Sequence, residues 1–165
     1  MVKISTVILI RGNSGSGKTT VANQLHRILG SGTLLVSQDY IRRQMLMVKD
    51  KPNNLEIGLI ETIIDYGIKH CRFIIIEGIL PSQKYGKMLK QVLKQSKRIV
   101  SYYYDLSFDE TLKRNHTKVA KNFSKEQMQS WFIPKNFLGI RGEKAINKNV
   151  TQRKMIQIIL NDIKL

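Results

Sequence analysis

At 165 residues and 42% hydrophobic, the chain has the size and composition of one globular domain with its own core, and a single domain over residues 1–165 is expected. One cysteine, Cys71, excludes an intrachain disulfide and a cysteine metal cluster. No apolar run approaches the roughly 18 residues of a membrane span, so a cytoplasmic protein with no membrane partner is expected. Lysine and arginine number 28 against 12 acidic residues, a net charge of +16 that favours polyanions and keeps nucleic acid open as a partner beside a generally basic surface.

Taken in order, the chain opens with a short β-branched run, Thr6 to Ile10, suited to a buried strand. Lys18 to Leu29 then carries Val21, Leu25, Ile28 and Leu29 at helical spacing, with Gly30 as a stop. Thr33 to Ser37 reads as a second strand, and a helix is expected from Tyr40 to about Val48, broken by Pro52-Asn53-Asn54. Helix follows from about Leu55 to His70, strand from Phe73 to Glu77, helix from Ser82 to Ser96 and strand from Arg98 to Asp105. The helix of Ser82 to Ser96 sets Met88, Leu89, Val92 and Leu93 opposite Lys84, Lys87, Lys90 and Lys94. Ser107 with Glu110 makes a capping box for a helix ending near Asn115. A polar, basic stretch leads into a short helix, Ser124 to Phe132, then a brief strand at Lys144 to Ile146 and a last helix over Thr151 to Lys164. Strands alternating with helices imply a parallel sheet covered on both faces, with ligands at the carboxyl ends of its strands.

That edge holds the most informative stretch. Gly12 to Thr19 reads Gly-Asn-Ser-Gly-Ser-Gly-Lys-Thr and fits G-x-x-x-x-G-K-[ST], between a strand and a helix as the pattern requires. Gly12, Asn13, Ser14, Gly15, Ser16 and Gly17 form a nest of backbone N–H groups for a polyphosphate, continued by Thr20 on the helix. Lys18 reaches the β- and γ-phosphates of ATP, and the Thr19 hydroxyl ligates Mg²⁺. Glu77, ending its apolar strand, is the expected carboxylate for the same Mg²⁺, or else a partner for backbone N–H groups near Gly78. Asp39, 21 positions after Lys18, is the candidate general base for an acceptor hydroxyl, and equally an N-cap for its helix. Arg42, three residues on, suits an anionic acceptor, whereas Arg43 is expected to point about 100° away. Lys118 and Lys121 in the basic stretch would meet charge on the leaving phosphates from a mobile lid over about residues 115–142.

On Gly12–Thr19, Asp39, Arg42 and the basic segment after Arg114, the chain resembles the small P-loop kinases, the group holding polynucleotide 5′-kinase domains, zeta toxins and chloramphenicol phosphotransferase. Ser37-Gln38-Asp39-Tyr40-Ile41-Arg42 is similar to the Asp-x-x-Arg of the polynucleotide kinases, where Asp is the base and Arg contacts the acceptor. The resemblance implies a three-layer fold with an adenylate-kinase-like, five-stranded sheet of order 2-3-1-4-5, and an Arg114 that flanks the adenine. The function implied is transfer of the ATP γ-phosphate to a hydroxyl of a small molecule, a nucleoside or a nucleic-acid 5′ end. A nucleic-acid-binding ATPase or nucleotide sensor, with no acceptor, is the competing expectation.

Overall fold

Seven consecutive buried residues, Thr6–Gly12, form β1, and a run with no solvent-facing alternate belongs in the middle of a covered sheet. In the computed structural model, which describes residues 4–117 and 123–164, β1 lies there. β2 (Thr33–Ser37), β3 (Phe73–Gly78), β4 (Arg98–Tyr104) and β5 (Glu143–Ile146) complete a five-stranded parallel sheet of order β2-β3-β1-β4-β5, as the resemblance implies. Between them run α1 (Lys18–Leu29), α2 (Gln38–Tyr40), α3 (Leu55–His70), α4 (Ser82–Leu93), α5 (Phe108–His116), α6 (Lys125–Trp131) and α7 (Gln152–Ile163).

Alternation along β1 divides the core in two. Val7 and Leu9 join Ile60 and Ile64 of α3 and Leu89 and Val92 of α4. Ile8 and Ile10 face the other way, against Val21 and Leu25 of α1 and Met155 and Ile159 of α7. The sheet is thus a middle layer between two helical ones. Its register sets Ser37 beside Glu77, and Gly12 beside Tyr104, so the carboxyl ends of four strands meet at one edge.

Two local departures from the sequence expectations have clear causes. The helix expected from Tyr40 to about Val48 stops early: α2 widens into a π-helical turn, Ile41–Met45, closed by Leu46 N–H donating to the Ile41 carbonyl at 3.0 Å. Only Ile41 of that turn is buried, so little apolar packing holds a longer helix in place. Asp39 is not an N-cap either; Ser37 occupies that position and Asp39 lies inside α2.

Beyond Leu9 the same face of β1 carries Arg11, whose side chain is fully buried. Its Nε and Nη2 donate to the Leu80 carbonyl at 3.1 and 2.9 Å, and Nη2 also reaches Asn136 at its carbonyl (2.9 Å) and Oδ1 (3.0 Å). Nη1 meets Glu143 Oε1 at 3.4 Å. Desolvation lowers the Arg11 pKa, and the nearby Glu143 opposes that. Burying a guanidinium is tolerable only when its donors are occupied, and here they tie β1 to the loop after β3 and to the irregular segment before β5.

Candidate active site

The stretch Gly12–Thr19 passes from β1 into α1 over the edge of the sheet. Gly15 and Gly17 take φ values of 82° and 93°, a region that L side chains rarely adopt. A Cβ on Gly15 would lie 2.5 Å from the Thr111 carbonyl of α5, so the loop is pressed against its support there. A Cβ on Gly17 would meet nothing within 4 Å, so that side of the loop is open. Gly17 is also the N-cap of α1, with no side-chain hydrogen bond and no acidic residue in the first turn. The positive end of the helix is left to an anion.

Around this cradle each side chain has a definite place. Lys18 is buried and folds back so that Nζ donates to the Asn13 carbonyl at 3.1 Å. Asn13 turns its amide away from the cradle, giving Nδ2 to the Ile133 carbonyl at 2.8 Å and taking the Ile133 N–H on Oδ1 at 2.9 Å. Ser14 is half-buried and Thr20 exposed. Ser16 is fully buried, and its hydroxyl has no hydrogen-bond partner among the described residues. Arg114 braces the loop from α5: Nη1 donates to the Ser16 carbonyl at 2.9 Å, Nε to Glu110 at 2.9 Å and Nη2 to the Lys148 carbonyl at 3.2 Å. The Arg114 hydrogen bond holds the Glu110 carboxyl below its ordinary pKa. Burial pushes the Tyr104 phenol, against Gly12, up to about 12.

Glu77, 2% exposed, accepts from the Thr19 hydroxyl at 3.1 Å on one oxygen and from the Ser37 hydroxyl at 2.5 Å on the other. It therefore links the phosphate loop to the end of β2, where Asp39 follows. Asp39 is 58% exposed on its side chain, and Oδ1 receives both Arg42 Nη2 at 3.0 Å and Arg43 Nε at 2.6 Å. The expectation that Arg43 points away is thereby corrected. Positions three and four residues on both lie over Asp39 on a helix, and long side chains span the angle between them. Arg43 also stacks on Phe123, its guanidinium carbon 4.7 Å from the ring centroid. Lys118 and Lys121 lie outside the described residues.

Further polar residues adjoin this edge that the sequence did not single out: Gln38, Glu56 and Tyr85 behind Asp39, and Arg11, Asn136 and Glu143 behind the loop. The pairs that join them, such as Glu56 with Tyr85 and Arg11 with Glu143, lie 29 to 132 residues apart, so no local pattern marks them.

A parallel sheet of this order with its phosphate loop between β1 and α1 defines a small P-loop kinase-type domain that binds nucleotide. The chain belongs to the AAA domain family, whose model matches residues 7–131. No curated protein matches it. Among solved structures, the APS kinase of Mycobacterium tuberculosis in complex with AMPPNP and APS superposes with a TM-score of 0.71 at 13% identity, over 98% of each chain. A gluconokinase from Sinorhizobium meliloti 1021 gives 0.67 at 12% identity, over 98% of this chain and 93% of its own. The Pnkp1/Rnl/Hen1 RNA repair complex gives 0.60 at 18% identity, over 79% of this chain and 43% of that one. At these identities the likeness is one of fold.

Proposed function

We propose that the protein is an ATP-dependent kinase that transfers the γ-phosphate to a hydroxyl group of a small molecule, a nucleoside or a nucleic-acid 5′ end. The observation that carries this reading is the placement of Asp39 on α2 and Arg42 on the π-helical turn that continues it, at the strand edge shared with Gly12–Thr19 and joined to it through Ser37 and Glu77. Phosphoryl transfer needs the phosphates held, their charge offset and the acceptor proton accepted. The loop N–H groups and Lys18 hold the phosphates. Asp39 takes the proton of the acceptor hydroxyl, and Arg42 orients an acceptor that carries negative charge.

Thr19 and Glu77 supply one hydroxyl and one carboxylate, hard oxygen donors of the kind Mg²⁺ selects. When bound, Mg²⁺ offsets the charge of the phosphate oxygens. In this reading Arg114, which braces the loop through the Ser16 carbonyl, flanks the base of the nucleotide, and residues 115–142, with Lys118 and Lys121, serve as the lid. The absence among the described residues of any helix long and apolar enough to cross a membrane accords with a cytoplasmic enzyme.

One panel decides the reading. Incubation of [γ-³²P]ATP with nucleosides, 5′-hydroxyl oligonucleotides, sugars and amino sugars should label one acceptor class, and Asp39→Asn should abolish that labelling while ATP still binds. The net charge of +16 favours a second reading, a nucleic-acid-binding ATPase or sensor. It would show as nucleic-acid-stimulated ADP release with no labelled acceptor, unaffected by Asp39→Asn.

A further inference from the structure

Beneath the arm that carries Asp39 and Arg42 lies a polar chain closed off from solvent. Gln38 takes the Leu80 N–H on Oε1 at 2.9 Å and gives Nε2 to the Tyr85 hydroxyl at 3.1 Å. That hydroxyl donates in turn to Oε1 of Glu56, in the first turn of α3. The Glu56 side chain is 0% exposed, and its other oxygen, Oε2, accepts no hydrogen bond among the described residues. Facing Oε2 is Arg42, with Nε 3.9 Å away, beyond hydrogen-bond range but within that of an ion pair. A buried carboxylate oxygen without a donor is costly to keep, and apolar packing alone gives no reason for it.

We propose that Glu56 is a positioning residue for Arg42: its buried Oε2 anchors the Nε edge of the guanidinium and leaves the terminal nitrogens for an anionic acceptor. Arg42 stands between two unlike carboxylates. Its bond to the exposed Asp39 is screened by water and ions, while its attraction to the sealed Glu56 is screened far less. An acceptor anion can therefore draw Nη2 off Asp39 without displacing Arg42. A neutral Glu56 gives up that anchor, and Arg42 falls back on Asp39. Only the consequence for turnover rests on the kinase reading; the Glu56–Arg42 coupling does not.

The groups around Glu56 bring its ionisation into the neutral range. Burial raises its pKa to about 7; Asp50 of the preceding loop adds to the rise, Arg42 and Lys84 of α4 oppose it, and Asp39 adds a smaller upward push. Tyr85 is the remaining titratable contact, through its hydroxyl.

The coupling is tested without turnover by following the ¹⁵N resonance of Arg42 Nε, assigned by its disappearance in Arg42→Lys, from pH 5.5 to 8.5. The resonance should titrate with a midpoint near 7 in the native protein and be flat in Glu56→Gln. Tyr85→Phe keeps the carboxylate but removes its donor, so the midpoint should move upward. A resonance that does not titrate, that titrates equally in Glu56→Gln, or that keeps its midpoint in Tyr85→Phe overturns the assignment. Asp39→Asn leaves this titration in place whichever way the acceptor panel turns out, so the two readings fail separately.

Discussion

Asn13 and Ile133, 120 residues apart, exchange two hydrogen bonds: the side-chain amide of one pairs with the backbone N–H and carbonyl of the other, at 2.9 and 2.8 Å. An asparagine of the phosphate loop is thereby used as a strand would be, to hold a passing chain. Asn13 is 5% exposed, so Asn13→Ala leaves the Ile133 backbone groups poorly paired. The expected loss is about 1–3 kcal/mol of stability, read from urea unfolding. Asn13→Asp keeps the acceptor but sets a carboxylate oxygen against the Ile133 carbonyl, so at neutral pH it should cost at least as much.

The two glycines of left-handed backbone in the loop should respond differently to a methyl group. In Gly15→Ala the Cβ meets the Thr111 carbonyl at 2.5 Å, so the loop or α5 must shift, and ATP affinity should fall by at least about tenfold. In Gly17→Ala the Cβ meets nothing within 4 Å, and the cost is that of the φ of 93° alone, about 1–2 kcal/mol. Equal losses of stability and affinity in the two variants would show that loop and α5 are not in firm contact.

For the proposed base, Asp39→Asn should lower acceptor phosphorylation by about 10²–10⁴-fold while ATP affinity stays within about twofold, since Asp39 contacts Arg42 and Arg43 and not the loop. Lys18→Ala should weaken both binding and transfer. Calorimetric titration with ATP beside an acceptor assay separates these cases, and full turnover by Asp39→Asn would remove Asp39 from the chemistry.

Glu56 makes a prediction about stability whose sign is set by its raised pKa. A carboxyl that is harder to ionise in the folded protein holds its proton there after the unfolded chain has released its own. Its contribution to stability is thus complete below the ordinary glutamate range and lost as pH rises to about 7. Glu56→Gln keeps the shape without the charge. At pH 8 it should be more stable than the native protein by on the order of 2 kcal/mol, and the difference should vanish near pH 4. Thermal unfolding across that range checks it.

Why some of this could be read from sequence and some could not comes down to distance along the chain. The strand, loop and helix around Gly12–Thr19 lie within 24 consecutive residues and are fixed by local chemistry, glycine conformation and apolar spacing. β5 is faint: of Glu143–Ile146 only Ile146 is buried, so the sequence offers a brief strand at Lys144 to Ile146 without an alternating pattern, and its place in the sheet order comes from the resemblance. The short α2 has the same cause in reverse, since Arg42, Arg43 and Gln44 are as acceptable to a helix as to the wider turn they adopt.

Within the site, Thr19, Glu77, Asp39 and Arg42 stand out because motif and strand end bring them forward. Glu56 and Tyr85 do not, because their meaning lies in each other. In sequence, Glu56 is an acid in the first turn of a helix, well explained by the helix dipole, and Tyr85 is one more apolar position on α4. Arg43 is visible as a residue but not in its direction, since it reaches back to Asp39; the side-chain role of Asn13, holding the chain that crosses beside the loop, has no local signal.

The segment between α6 and β5 has no ladder of its own, yet its amides are claimed one by one. The N–H groups of Ile133, Asn136, Leu138 and Gly139 donate to Asn13 Oδ1, the Tyr103 hydroxyl and the Glu143 carboxylate, and Arg11 takes the Asn136 carbonyl from below. Side chains of the sheet and of the phosphate loop thus do for this stretch what a neighbouring strand does elsewhere. The amide protons of Ile133 and Asn136 should exchange with solvent slowly, because releasing them means breaking their hydrogen bonds to the buried Asn13 and Tyr103 side chains. Within the proposed lid of residues 115–142, this stretch is therefore the anchored part and not the moving one.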